Sequence, residues 1–99
     1  MKKLRVELEL QILDKNTLEL SPGAPKILKD NSGDLRIKEE LLDSIIEINT
    51  SICNTIDDVR TDLSKTLKKV LKSADKHNLC LLSMGTHPYS HWADQIISN

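Results

Sequence analysis

Phenylalanine is absent from this chain, and tyrosine and tryptophan occur once each. Any core must therefore be built from Leu, Ile and Val. A surplus of charge is lacking too: 14 basic residues meet 15 acidic ones, giving a net charge of −1 and a pI near 6.3. That balance carries no electrostatic footprint for nucleic acid. The lysines are interleaved with acids, as on an ordinary solvated surface. No apolar run approaches the roughly 20 residues of a membrane span. Met1-Lys2-Lys3-Leu4 supplies a basic flank without the apolar stretch or small-residue site of a signal peptide. The expectation is a cytoplasmic protein with neither nucleic acid nor membrane as partner. Cys53 and Cys80 have no C-x-x-C spacing and read as reduced core thiols. The glycine-rich phosphate fingerprints G-x-G-x-x-G and G-x-x-x-x-G-K-[ST] do not occur. With 99 residues the chain has room for one domain at most.

What is present starts with an alternation. Leu4, Val6, Leu8, Leu10 and Ile12 fall on one face of a strand over residues 4–13, and Arg5, Glu7, Glu9 and Gln11 on the other. Glu7 and Glu9 then lie roughly 6–7 Å apart along one rigid element. Asp14-Lys15-Asn16 reads as a turn into a second alternating stretch, 17–20, so a hairpin is expected. Ser21-Pro22-Gly23-Ala24-Pro25 breaks the pattern. One helical turn fits 26–29, a loop fits 30–34, and a short strand fits 35–38, with 39–43 ambiguous. Residues 44–50 read as a strand rich in β-branched residues.

The strongest helix pattern covers 56–76. Ile56, Val59, Leu63, Leu67, Val70, Leu71 and Ala74 follow the three-and-four spacing of one apolar stripe. Thr55 with Asp58 resembles a capping box, Asp57 and Asp58 suit the positive end of the dipole, and Lys72 and Lys76 suit the negative end. His77-Asn78 marks the stop. Leu79-Cys80-Leu81-Leu82-Ser83-Met84 is apolar enough to read as a buried central strand. The expected fold class is α+β, with a mixed or mostly antiparallel sheet and one long helix packed on one face. The face opposite the helix would carry Glu7 and Glu9.

Glu7, Glu9 and Glu47 each sit in a strand beside an apolar stripe. If the two strands pair, three carboxylates can converge on one cleft, which suits a hard divalent cation bridging phosphate oxygens. The same pattern also describes a solvated sheet face. Tyr89, Trp92, His87 and His91 gather in the loop 85–92, and loops of such composition are more often functional than core loops are. A zinc site from the two histidines and two cysteines is disfavoured by spacing. Cys80 lacks an activating neighbour, which leaves nucleophilic catalysis without support.

Three segments resemble a known family. Val6-Glu7-Leu8-Glu9-Leu10-Gln11-Ile12-Leu13-Asp14 is similar to the opening V-E-x-E-F-x-L-x-D strand of the glutamate–cysteine ligase family 2, the carboxylate–amine ligases. Ser44-Ile45-Ile46-Glu47-Ile48-Asn49-Thr50 with Cys53 resembles that family's V-E-x-x-T-x-x-C. Gly85-Thr86-His87-Pro88-Tyr89-Ser90-His91-Trp92-Ala93-Asp94-Gln95 looks like its G-T-H-P-F/Y loop with the trailing W-x-D-Q. The order is right, and a long helix lies between the last two segments.

The resemblance implies the amino-terminal portion, residues 1–99, of a catalytic domain with a glutamine-synthetase-like fold. It implies ATP-dependent amide formation through an acyl phosphate. The substrates would be a glutamate-like carboxylate and an amine such as cysteine. Glu7, Glu9 and Glu47 would bind Mg²⁺ or Mn²⁺ with ATP, and Thr86 and His87 would face substrate. Arg5 stands where the family has Gly, shares a face with Glu7 and is placed to neutralise it. This stretch alone is expected to be inactive and to bind no cofactor by itself. The rival reading is a stand-alone non-catalytic α+β interaction module recognising a partner through a sheet edge; pairing with itself through that edge would make a homo-oligomer. Whether the reading frame continues past Asn99 separates these.

Overall fold

The structure is a computed structural model that describes residues 3–83. It is α+β: among the described residues, a four-stranded, wholly antiparallel sheet and two helices, one of them long. In chain order these are β1 (Glu7–Asp14), α1 (Ala24–Asp30), β2 (Ile37–Glu39), β3 (Ile45–Asn49), α2 (Ile56–Lys76) and β4 (Leu79–Ser83). The strands lie in the order β2-β3-β1-β4. No helix among the described residues is long and apolar enough to cross a membrane.

β1 follows its alternation. Leu8, Leu10 and Ile12 are fully covered while Glu7, Glu9 and Gln11 are half-buried. β3 continues the pattern next door, with Ile48 opposite Leu8 and Ile46 opposite Leu10. A slip of one residue would turn both apolar rows to the wrong face, so burial fixes the register. Leu4 and Val6 lie before β1 itself; Leu4 still bridges Cys53, and Val6 joins the core.

α2 starts at Thr55, whose hydroxyl accepts from the Asp58 amide at 3.0 Å. It ends at His77, followed by Asn78 at φ 60, a left-handed position that Asn tolerates well. Its buried stripe is Val59, Leu63, Thr66, Val70, Ser73 and Ala74, and it contacts β3, β4 and α1. Ile56 and Leu71 of the expected stripe are exposed. Each residue turns the helix by about 100°, so Leu71, next to the buried Val70, is carried off the core face. Thr66 and Ser73 occupy the stripe instead. The apolar rows of β1 and β3 and this stripe form one core with Ala24 and Ile27 of α1.

Three further expectations are corrected. Among the described residues β4 is an edge strand rather than a buried central one, and its Leu82 is 52% exposed. Apolar composition alone does not distinguish a central strand from an edge strand. The expected hairpin after β1 shrinks to one bridge, Leu13 to Leu20. The Asp14 carboxylate accepts from the amides of Asn16 and Thr17, and Leu18 turns back at φ 61, which consumes the residues a second strand would need. The single helical turn becomes the seven-residue α1, with Pro25 in its first turn, where a missing N–H costs nothing. Gly23 precedes it because a Cβ there would sit 2.5 Å from Leu79 Cδ1.

Candidate functional site

The sheet face turned away from the core is built by the odd positions of β1 and β3. Register places Glu9 directly opposite Glu47, and Glu7 opposite Asn49. The Asn49 amide donates to Arg36 O at 2.8 Å, toward β2, while the Thr50 amide donates to Val6 O at 3.0 Å. By the two-residue period, positions 47 and 49 turn their backbone polar groups away from β1. The Glu9/Glu47 pair is therefore of the non-hydrogen-bonded kind, with Cα atoms about 4.5 Å apart and side chains close. Like charges directly opposite are unfavourable in a sheet.

A third acid joins them. Glu40, one residue beyond β2, brings a carboxylate oxygen to within 4.8 Å of those of Glu9 and Glu47. All three side chains are half-buried. β2 runs antiparallel to β3 with Lys38 opposite Glu47, so Glu40, two residues on, returns to the same face. Its carboxyl is held above the usual glutamate range, first by burial and then by the charges of Glu47 and Glu9, a hydrogen bond with Glu47 and the charge of Glu7. Sequence reasoning missed Glu40, which falls in the stretch 39–43 left ambiguous. The one available signal was an acid two residues past a strand position that faces the open side.

Glu7 lies one pair further along and forms an ion pair with Arg5 at 3.8 Å, as their shared face implied. Asn49 is 4% exposed, and its side-chain amide donates to Glu47 Oε2 at 3.1 Å. Thr86 and His87 lie outside the described residues. Both cysteines are free. Cys53 is buried, and burial, then Asp62 and Asp58, push its thiol up; Cys80 is half-buried on β4.

A second polar cluster lies on the helix side of the sheet's edge. Arg36, just before β2, bonds Asp34 at 3.1 Å and Asp62 of α2 at 2.7 Å. Asp62 also accepts from the Ser51 amide at 2.6 Å, and Lys69 bonds Asp34 at 3.0 Å. The segment entering β2, the chain just after β3 and the middle of α2 are thus tied together. At the far end of α2, Asp30 accepts from Ser73 at 2.6 Å, meets His77 at 2.8 Å and pairs with Lys76 at 3.3 Å.

An all-carboxylate set of this size has the chemistry of a hard divalent cation site: oxygen donors, several negative charges and a rigid frame. Comparison with known proteins agrees with the motifs that border it. The profile of the Glutamate-cysteine ligase family 2 matches residues 4–99. A protein of Thermobifida fusca is 37% identical over 98 residues, 93% of this chain and 25% of its own length. One of Bdellovibrio bacteriovorus is 38% identical over 94 residues, 94% of this chain and 25% of its own. One of Verminephrobacter eiseniae is 36% identical over 97 residues, 95% of this chain and 26% of its own. All three carry the provisional name glutamate–cysteine ligase 2. The chain spans about 25% of the length of these relatives. A match across nearly the whole chain shows the family: this chain belongs to the glutamate–cysteine ligase family 2, as a stretch corresponding to about a quarter of its relatives.

Proposed function

We propose that this chain contributes one wall of the active site of an ATP-dependent carboxylate–amine ligase. The observation that carries the proposal is the convergence of Glu9, Glu40 and Glu47 to within 4.8 Å on the open face of the sheet. Acids placed directly opposite one another cost stability unless a cation offsets them. Mg²⁺ or Mn²⁺ accompanying ATP would supply that charge and polarise the transferred phosphoryl group. Glu9, Glu40 and Glu47 would hold the metal, with Glu7 beside them. For Glu7 to serve, it must exchange Arg5 for the ion. That pair is long and partly exposed, so its loss costs about 0–1 kcal/mol.

In this reading a glutamate-like carboxylate takes the γ-phosphoryl group of ATP, releasing ADP, and an amine such as that of cysteine displaces phosphate to form the amide. The sheet holds the carboxylates rigidly, so little reorganisation is needed as charge develops. Thr86 and His87 would contact substrate. The stretch alone would be inactive, because one wall does not enclose a nucleotide. In the full-length protein, Glu7→Gln and Glu47→Gln should each reduce ATP-dependent amide formation with Mg²⁺ by two orders of magnitude or more, about 3 kcal/mol in the barrier. Near wild-type turnover in both would rule out the metal role.

A further inference from the structure

We infer that Asn49 is a positioning residue for this site, orienting the Glu47 carboxylate through its side-chain amide; the inference rests on the metal-binding reading above. Asn49 occupies a position left open in the V-E-x-x-T-x-x-C pattern, so the resemblance assigns it nothing. Its side chain is 4% exposed in a sheet, where a β-branched residue would normally stand. Of its two polar side-chain atoms, Nδ2 donates to Glu47 Oε2 at 3.1 Å. Oδ1 is buried with no hydrogen-bond partner among the described residues. Its backbone is already satisfied toward Arg36, so the side chain does not serve the ladder.

A buried acceptor without a partner destabilises a fold, and an apolar residue of the same shape would remove that penalty. What the amide provides in return is the bond to Glu47. That bond restrains rotation of one carboxylate within a group of three whose oxygens lie within 4.8 Å. A freely turning Glu47 would need to be ordered at each binding event. Groups that orient metal ligands in this way are typically worth about 10–100-fold in metal affinity.

The test measures Mn²⁺ binding to the full-length protein directly, from the loss of the free-ion electron paramagnetic resonance signal, without turnover. Asn49→Leu keeps the side-chain length and removes both polar atoms. It should weaken Mn²⁺ binding by roughly 10–100-fold, while the melting temperature in chelator stays equal or rises. A purely structural Asn49 would give the opposite pair of results: a lower melting temperature and unchanged affinity in the folded protein. Asn49→Ala carries the same affinity expectation should the leucine variant fail to fold. Glu47→Gln, run alongside, separates the two layers. If it weakens binding and the Asn49 variants do not, the positioning role is overturned and the metal reading stands. If Glu47→Gln leaves binding unchanged, the metal reading falls and the positioning role with it.

Discussion

Removing one charge from the acidic cluster should stabilise the protein without metal and destabilise it relative to wild type with metal. Consider Glu47→Gln. The three carboxylates have oxygens within 4.8 Å of one another. At that separation two unit charges repel by about 0.9 kcal/mol in a water-like dielectric and about 3.5 kcal/mol at an effective value of 20. The cluster is half-buried and open on one side, so the lower end applies, about 1 kcal/mol for each neighbour. Glu40 relieves part of this by its raised pKa, since burial and the charges of Glu47 and Glu9 favour its protonated form. The side-chain carbonyl of the substituted glutamine would still accept the hydrogen bond from Asn49. The net gain in chelator at pH 8 is about 1 kcal/mol.

In the full-length protein, Mg²⁺ bound at the proposed site should reverse the order. An ion at 100 times its dissociation constant stabilises the wild type by about 2.7 kcal/mol, and a variant that has lost one of three carboxylates forfeits most of that. Denaturant melts of both proteins, with chelator and with Mg²⁺, should therefore cross. Proton linkage supplies a second check. A carboxyl whose folded pKa is raised favours the folded state below the ordinary glutamate range and loses that contribution as pH rises through the folded value. Metal-free wild type should lose stability just above that range, and Glu47→Gln should flatten the loss, because the neighbouring charge that raises Glu40 most is gone. If the variant is less stable in chelator and keeps the full Mg²⁺ response, the cluster does not carry the strain attributed to it and the reasoning fails.

The other predictions concern the frame that holds the site. Leu8→Ala empties a fully buried position in β1 opposite Ile48 and should cost about 2–5 kcal/mol in a urea melt. Thr66→Val replaces a hydroxyl that is buried on α2 with no partner among the described residues, so the protein should gain about 1 kcal/mol by the same measure. Acid titration followed by circular dichroism should show a loss of stability as pH falls from about 4 toward 2. Asp30 is held down to about 2 by Ser73 and then His77; Asp34, against the opposing effect of burial, is held to about 2 by Arg36 and Lys69. Depressed carboxylates stabilise above their unfolded pKa and lose that contribution on the way down; Asp30→Asn should remove its share of the slope.

The fold was legible wherever a period ran long enough to be counted. β1 and α2 carry their patterns over 8 and 21 residues, and their caps and turns agree with the periodicity. Legibility failed where tertiary context decides. Leu79 to Leu82 look the same whether a strand is flanked on both sides or on one, and only the strand order shows that, among the described residues, β4 pairs with β1 alone. Residues 17–20 alternate as a strand should, yet the Asp14 carboxylate offers the Thr17 amide a local alternative to the ladder. On α2, the seven apolar positions over-described the stripe, because a helix buries an arc and the two polar residues inside it, Thr66 and Ser73, are small enough to fit.

The site divides the same way. Glu9 and Glu47 were readable, since each sits at a known parity within a strand and the β1–β3 pairing brings equal parities together. Glu40 was not, because it stands outside β2 and its place depends on the path of the chain rather than on a repeat. That path is set from outside the acidic face: Arg36, bonded to both Asp34 and Asp62, fixes where β2 begins against α2, and the chain then delivers Glu40 to Glu47. The ion pairs on the helix side and the acids on the open side are therefore one device. Loosening Arg36 should move Glu40 out of reach before it disturbs Glu9 or Glu47, whose pairing belongs to the two central strands.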